Sequence, residues 1–134
     1  MLDEGLGRYV IAEALKGAGA RVEIHADHFK SGELDDVWLA EAARRDWIIL
    51  TKDYRIRSNR GLALRAIQQS KARIFVIKRS KDLRGQDMAE MFVKALPAIF
   101  RTSDREMAPF ICKVGKDGSV SLWWPARPKT PSRK

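Results

Sequence analysis

The stretch Trp47-Ile48-Ile49-Leu50-Thr51-Lys52-Asp53 decides how the rest of the chain is read. Its large aliphatic residues, with polar neighbours on both sides, read as a buried strand over 47–51 whose side chains alternate between two covered faces. A strand covered on both faces belongs to an α/β sheet. Its end delivers a hydroxyl, an ammonium and a carboxylate in turn, Thr51, Lys52 and Asp53. Sheets of this kind bind ligands at the C-terminal ends of their strands, so Asp53 stands where a ligand is expected.

The elements on either side alternate. Residues 1–3 read as the last residues of a short first strand. A helix follows over 5–17, with Leu6, Val10 and Ala14 at i, i+4 spacing and Ile11 and Leu15 on a neighbouring stripe. Gly17-Ala18-Gly19 ends it. Residues 21–25 read as a second strand and 26–34 as a polar loop. Residues 36–45 read as a helix covering the sheet through Val37, Trp38 and Ala42. Beyond the 47–51 strand come a basic turn, a helix over 61–70 with Leu64 and Ile67 inward, and a fourth strand over 73–77. A helix over 86–101 contains Pro97, which is expected to kink or split it. Residues 110–114 and 119–124 flank Gly115-Lys116-Asp117-Gly118 and predict a β-hairpin. Residues 125–134, rich in proline and basic residues, predict a disordered tail. Strand–helix alternation predicts a mainly parallel sheet between helices, a three-layer α/β/α sandwich of one domain over 1–124 with the hairpin at 110–124.

Composition narrows the partners. The chain has 134 residues, enough for one domain with a core. Its 26 Lys and Arg against 17 Asp and Glu give a net charge of +9, which favours a polyanionic partner. No apolar run approaches the ~20 residues that a membrane span needs, and no signal peptide is read. The only cysteine, Cys112, excludes an intrachain disulfide and fits a reducing, cytoplasmic compartment.

Two charge sets converge on the C-terminal edge of the expected sheet. Asp3 closes the first strand, Asp35 opens the second helix and Asp53 follows the 47–51 strand, with Glu4 and Asp36 beside them. Carboxylates held together repel unless a cation joins them, and hard oxygen ligands suit Mg2+ or Mn2+. Each acid also has an ordinary structural use: Asp35 as a helix N-cap, Asp36 in a first turn, Asp53 as a turn former. Around them lie Lys52, Arg55, Arg57 and Arg60, then Lys78 and Arg79 after the fourth strand. Acids in the centre with cationic walls suit a phosphate backbone bridged by metal. Thr51 stands where it would orient a ligand carboxylate. His25 and His28 lack the company a zinc site needs, and Trp38, Trp47, Trp123 and Trp124 read as packing residues.

These residues fall into a known pattern. Asp3-Glu4-Gly5-Leu6-Gly7-Arg8, the helix start Gly32-Glu33-Leu34-Asp35-Asp36-Val37-Trp38-Leu39 and the strand end Ile48-Ile49-Leu50-Thr51-Lys52-Asp53 resemble, in that order, the motifs of PIN-like nucleases of the Mut7-C type. The run Thr51-Lys52-Asp53-Tyr54-Arg55-Ile56-Arg57 is most similar to VapC-type PIN-like toxins. The resemblance covers residues 1–78. It implies a metal-dependent ribonuclease in which Asp3, Asp35 and Asp53 hold one or two Mg2+ or Mn2+. It also implies a cognate antitoxin and dimerisation. Many relatives carry an acid where Arg55 stands, which leaves Glu4, Glu33, Asp36 or Asp104 to complete the set. Two other readings use the same residues: a catalytically inactive nucleic-acid-binding module, and a phosphoreceiver-like signalling domain.

Overall fold

The computed structural model describes residues 1–3, 6, 9–52, 62–77 and 83–125; of residues 35 and 62–64 it describes the backbone alone. Strands β1 (Ile48–Thr51), β2 (Arg73–Ile77), β3 (Phe110–Val114) and β4 (Val120–Trp124) form one sheet in that order. β1, β2 and β3 are parallel, and β4 returns antiparallel to β3 as the hairpin arm. On the other side of β1, Leu2 bridges in parallel to Leu50 and to Ile24. The lateral order is therefore 22–25, 1–3, β1, β2, β3, β4.

Helices cover both faces. α1 (Val10–Gly17) and α4 (Gly85–Arg105) pack together over Leu2, Leu50, Phe75, Ile77 and Cys112. α2 (Asp35–Arg44) and α3 (Leu62–Ser70) pack together over Ile49, Ile74, Val76 and Ile111. Alternate residues of each strand thus enter opposite cores, as period-2 side chains covered on two sides must. This is the expected three-layer α/β/α sandwich with a mainly parallel sheet and a C-terminal hairpin. None of the described helices is long and apolar enough to cross a membrane.

Local departures have local causes. Residues 21–25 do not form a strand: the segment makes one bridge, Ile24 to Leu2, and His25–Asp27 turns into a 3-10 helix. In α1 the inward stripe is Ile11, Ala12 and Leu15, whereas Val10 is 55% exposed. In α2, Trp38, Leu39 and Ala42 are buried and Val37 faces outward. α2 and α3 turn into their strands through Asp46 and Lys71, both with positive φ (58° and 61°), the left-handed residue that closes a helix end.

Pro97 neither splits nor ends α4, which runs unbroken for 21 residues and four past the expected stop. Pro97 lies on its exposed face, where water can serve the carbonyl left without a donor. Opposite α4, Gly118 closes the hairpin turn with φ +83°, and a Cβ there would stand 2.9 Å from Lys94 Cβ and 3.0 Å from its carbonyl carbon.

Candidate functional site

The lateral order places a break in winding between residues 1–3 and β1. The connection from 1–3 leads outward to 22–25, and the chain then crosses back to β1 and continues the other way. Crossovers on the two sides of that break leave a crevice at the C-terminal ends of the two central strands. Asp3 and Thr51 are those ends.

Backbone bonding fixes both. The Asp3 N–H donates to the Leu50 carbonyl at 2.9 Å, and the Leu50 N–H donates to the Met1 carbonyl at 2.8 Å. The Thr51 hydroxyl then donates to Asp3 Oδ2 at 2.8 Å. Thr51 is only 1% exposed, whereas Asp3 is half-buried. A buried hydroxyl needs an acceptor, and Asp3 Oδ2 supplies one for Thr51 at the strand end. Thr51 is expected from the sequence to orient a ligand carboxylate; the carboxylate it bonds is that of Asp3.

α2 starts from the same edge. Leu34 is its N-cap, in extended geometry and without a side-chain cap bond, so Asp35 is the first helical residue and not the N-cap. An acid in a first turn is favoured by the helix dipole, and Asp36 beside it is exposed. Glu33 Oε2 accepts from the Leu34 N–H at 3.2 Å. Asp104 is displaced from this group. It lies in the last turn of α4, whose first turn follows β2's C-terminal end; ~1.5 Å of rise per residue carries Asp104 to the opposite edge of the sheet.

Lys52 follows Thr51 and is exposed at the crevice. Glu4, Asp53, Arg55, Arg57, Arg60, Lys78 and Arg79 lie outside the described residues, as do 126–134 of the expected tail. Among the described residues no three His, Cys, Asp or Glu side chains come together as a metal group. At this edge the described part holds the Asp3 carboxylate, bonded to Thr51, and the backbone start of α2 at Asp35. That donor chemistry suits Mg2+ or Mn2+ and not a soft metal.

The histidines serve the α2 side. His25 is 2% exposed, 5.1 Å from the Phe29 ring and 5.6 Å from Trp38. His28 Nε2 meets Glu23 Oε1 at 2.7 Å, and its ring lies 4.8 Å from Trp47. Trp38 is buried, and Trp47, Trp123 and Trp124 pack against the same core. The hydropathy pattern did not anticipate the exposed apolar residues Tyr9 and Val10 at the start of α1 and Leu34 and Val37 at the start of α2. Nothing in their sequence spacing separates them from core residues.

The family described as a PIN like domain matches residues 1–79, more than half of the chain and including Asp3, Asp35 and the whole β1 strand end. No curated protein and no solved structure matches the chain.

Proposed function

This chain belongs to the PIN-like domain family, and from that membership we propose that it is a metal-dependent ribonuclease acting at the crevice between residues 1–3 and β1. Domains of this family are generally nucleases. The observation that carries the reading is the Asp3 carboxylate, held by buried Thr51 at the break in winding of the sheet.

Asp3, Asp35 and Asp53 would hold one or two Mg2+ or Mn2+, with Glu4 or Asp36 completing the set. When bound, such a metal activates a water and takes up the charge that develops on a phosphodiester. The chain's own part is to fix its carboxylates beforehand. Asp3 is pinned through backbone and side chain, and Asp35 rides on the first turn of a helix. Lys52, Arg55, Arg57, Arg60, Lys78 and Arg79 would grip phosphates on either side, as the net charge of +9 favours. The similarity of residues 51–57 to VapC-type toxins supports a finer reading. In it the chain is the cytoplasmic toxin of a toxin–antitoxin pair, inhibited by a cognate antitoxin and able to dimerise.

Purified protein is incubated with a mixed RNA pool in Mn2+, Mg2+ or EDTA, beside Asp3→Asn and Asp53→Asn. The expected result is cleavage that needs the metal and falls at least ~100-fold in either variant, the scale of losing one charge-stabilising group. Cleavage that persists in EDTA or in the variants would overturn the mechanism. Salt-sensitive RNA binding with no cleavage would favour a catalytically inactive binding module. The toxin reading predicts growth arrest on expression, relieved by co-expression of the antitoxin.

A further inference from the structure

Two helices begin at the edge that holds Asp3 and Thr51, and each begins with exposed apolar residues. At the start of α1 these are Tyr9 and Val10, 73% and 55% exposed; at the start of α2 they are Leu34 and Val37, 67% and 46% exposed. α1 covers one face of the sheet and α2 the other, so the two pairs stand on opposite lips of the crevice. Side chains lean toward the N-terminal end of their helix, so Val10 and Val37 lean toward this edge. Single exposed apolar side chains are ordinary; four that share one edge of the sheet mark a place of contact.

Tyr9 is the aromatic residue among them. The Leu6 N–H donates to the Asp3 carbonyl at 3.0 Å and closes the turn out of the strand end. Tyr9 follows three residues later, so its backbone lies within about 15 Å of Asp3. The Glu13 N–H donates to the Tyr9 carbonyl at 2.8 Å, which fixes Tyr9 as the N-cap of α1. The inward stripe of α1 is Ile11, Ala12 and Leu15, and the core makes no use of the exposed Tyr9 ring.

The same lip carries a cation. A Cβ added to Gly85, the first residue of α4, would stand 3.8 Å from Val10 Cβ, so the start of α4 lies against the start of α1. Arg84 precedes it as the N-cap of α4 and is exposed. The Arg84 backbone N–H donates to Asp87 Oδ2 at 2.9 Å, which fixes the chain at that point. An aromatic ring and a guanidinium thus share one lip of the crevice. Together they are the two groups that hold a nucleotide of a single strand, the ring stacking on the base and the cation meeting the phosphate. A double helix keeps its bases paired and offers such a lip mainly sugars and phosphates. The net charge of +9 favours a polyanion here over an apolar protein segment.

We propose that Tyr9 is a base-stacking platform and Arg84 a phosphate contact for one unpaired nucleotide beside the crevice, so that the site selects single-stranded RNA. The fate of the bound strand rests on the ribonuclease reading; its place of binding rests on Tyr9, Val10, Gly85 and Arg84.

The test measures binding in EDTA, where no metal-dependent cleavage occurs. Fluorescence anisotropy follows labelled single-stranded deca-adenylate, and its duplex with decauridylate, at several salt concentrations. Tyr9→Ala is expected to bind the single strand about tenfold more weakly, the scale of one lost base–aromatic stack, while Tyr9→Phe binds it as the unaltered protein does. Duplex affinity should be the same in all three. Arg84→Ala should lower the log–log salt slope for the single strand by about 0.7; an unchanged slope would overturn the phosphate contact. The platform would be overturned by full single-strand affinity in Tyr9→Ala, which would leave the lip to a protein partner. An equal loss for strand and duplex, or no binding of the strand by the unaltered protein, would overturn it too. A parallel cleavage assay in Mn2+ separates the two readings. Tyr9-dependent binding without cleavage would overturn the nuclease and keep the platform, whereas metal-dependent cleavage with Tyr9-independent binding would overturn the platform alone. Tyr9 is an exposed residue, so its substitutions test the site with the core intact.

Discussion

Thr51 and Asp3 show how a buried hydroxyl can set up an exposed carboxylate. The Thr51 side chain cannot reach water, so its O–H goes to Asp3 Oδ2 at 2.8 Å, and the carboxylate is held in one orientation. Groups that orient metal ligands typically contribute 10–100-fold. Thr51→Val keeps the shape and removes the donor; cleavage is expected to fall about 10–100-fold, with the melting temperature nearly unchanged, read by metal-dependent kinetics beside thermal denaturation. Glu41 makes a residue-scale prediction about pH. Hydrogen bonds from Arg44, with Nε at 3.1 Å, and from Arg45, with Nε at 2.6 Å, lower its pKa from 4.5 to about 2. A carboxyl whose folded pKa is depressed adds stability above its unfolded pKa and loses it as pH falls through the folded one. The stability difference between the protein and Glu41→Gln should therefore be present at pH 7, shrink below pH 4.5 and vanish near pH 2. Urea melts across that range would show it, and a pH-independent difference would contradict the assignment.

At the scale of the element, α4 is the departure from local rules. Proline inside a helix loses one backbone bond and crowds the preceding turn, yet α4 continues through Pro97 to Arg105. Met88, Met91, Phe92, Ala95 and Ile99 are buried on one face, from before the proline to beyond it. That apolar face outweighs the local cost, as tertiary packing commonly does for helices. The cost should be recoverable. Pro97→Ala is expected to stabilise the protein by about 1–3 kcal/mol, seen as a higher urea midpoint with an unchanged slope. The hairpin makes the opposite case. Gly118 has φ +83° and lies against the Lys94 backbone, so Gly118→Ala meets both an unfavourable conformation and a clash. A loss of about 1–3 kcal/mol is expected in the same assay.

For the whole molecule, the proposed function rests on charge and topology together: the net charge of +9 favours a polyanion, and the break in winding of the sheet is where the proposal places it. RNA affinity should fall steeply with salt. If Lys52 neutralises one phosphate of a single strand, Lys52→Ala should reduce the log–log salt slope by about 0.7; an unchanged slope would remove Lys52 from the interface. The sequence by itself determined the layers and most of the elements. Period-2 and period-3.6 patterns are local, and the apolar runs at 48–50 and 74–77 can be buried on both faces in only a few ways. It also carried the expectation that Thr51 would orient a ligand carboxylate, without saying which one. Only the tertiary structure decided the lateral order of the strands, because hydropathy does not say which strand lies beside which. That order puts Asp3 beside Thr51, sends Asp104 to the far edge and leaves 21–25 with a single bridge. These are consequences of pairing between residues distant in the chain, which no local spacing encodes.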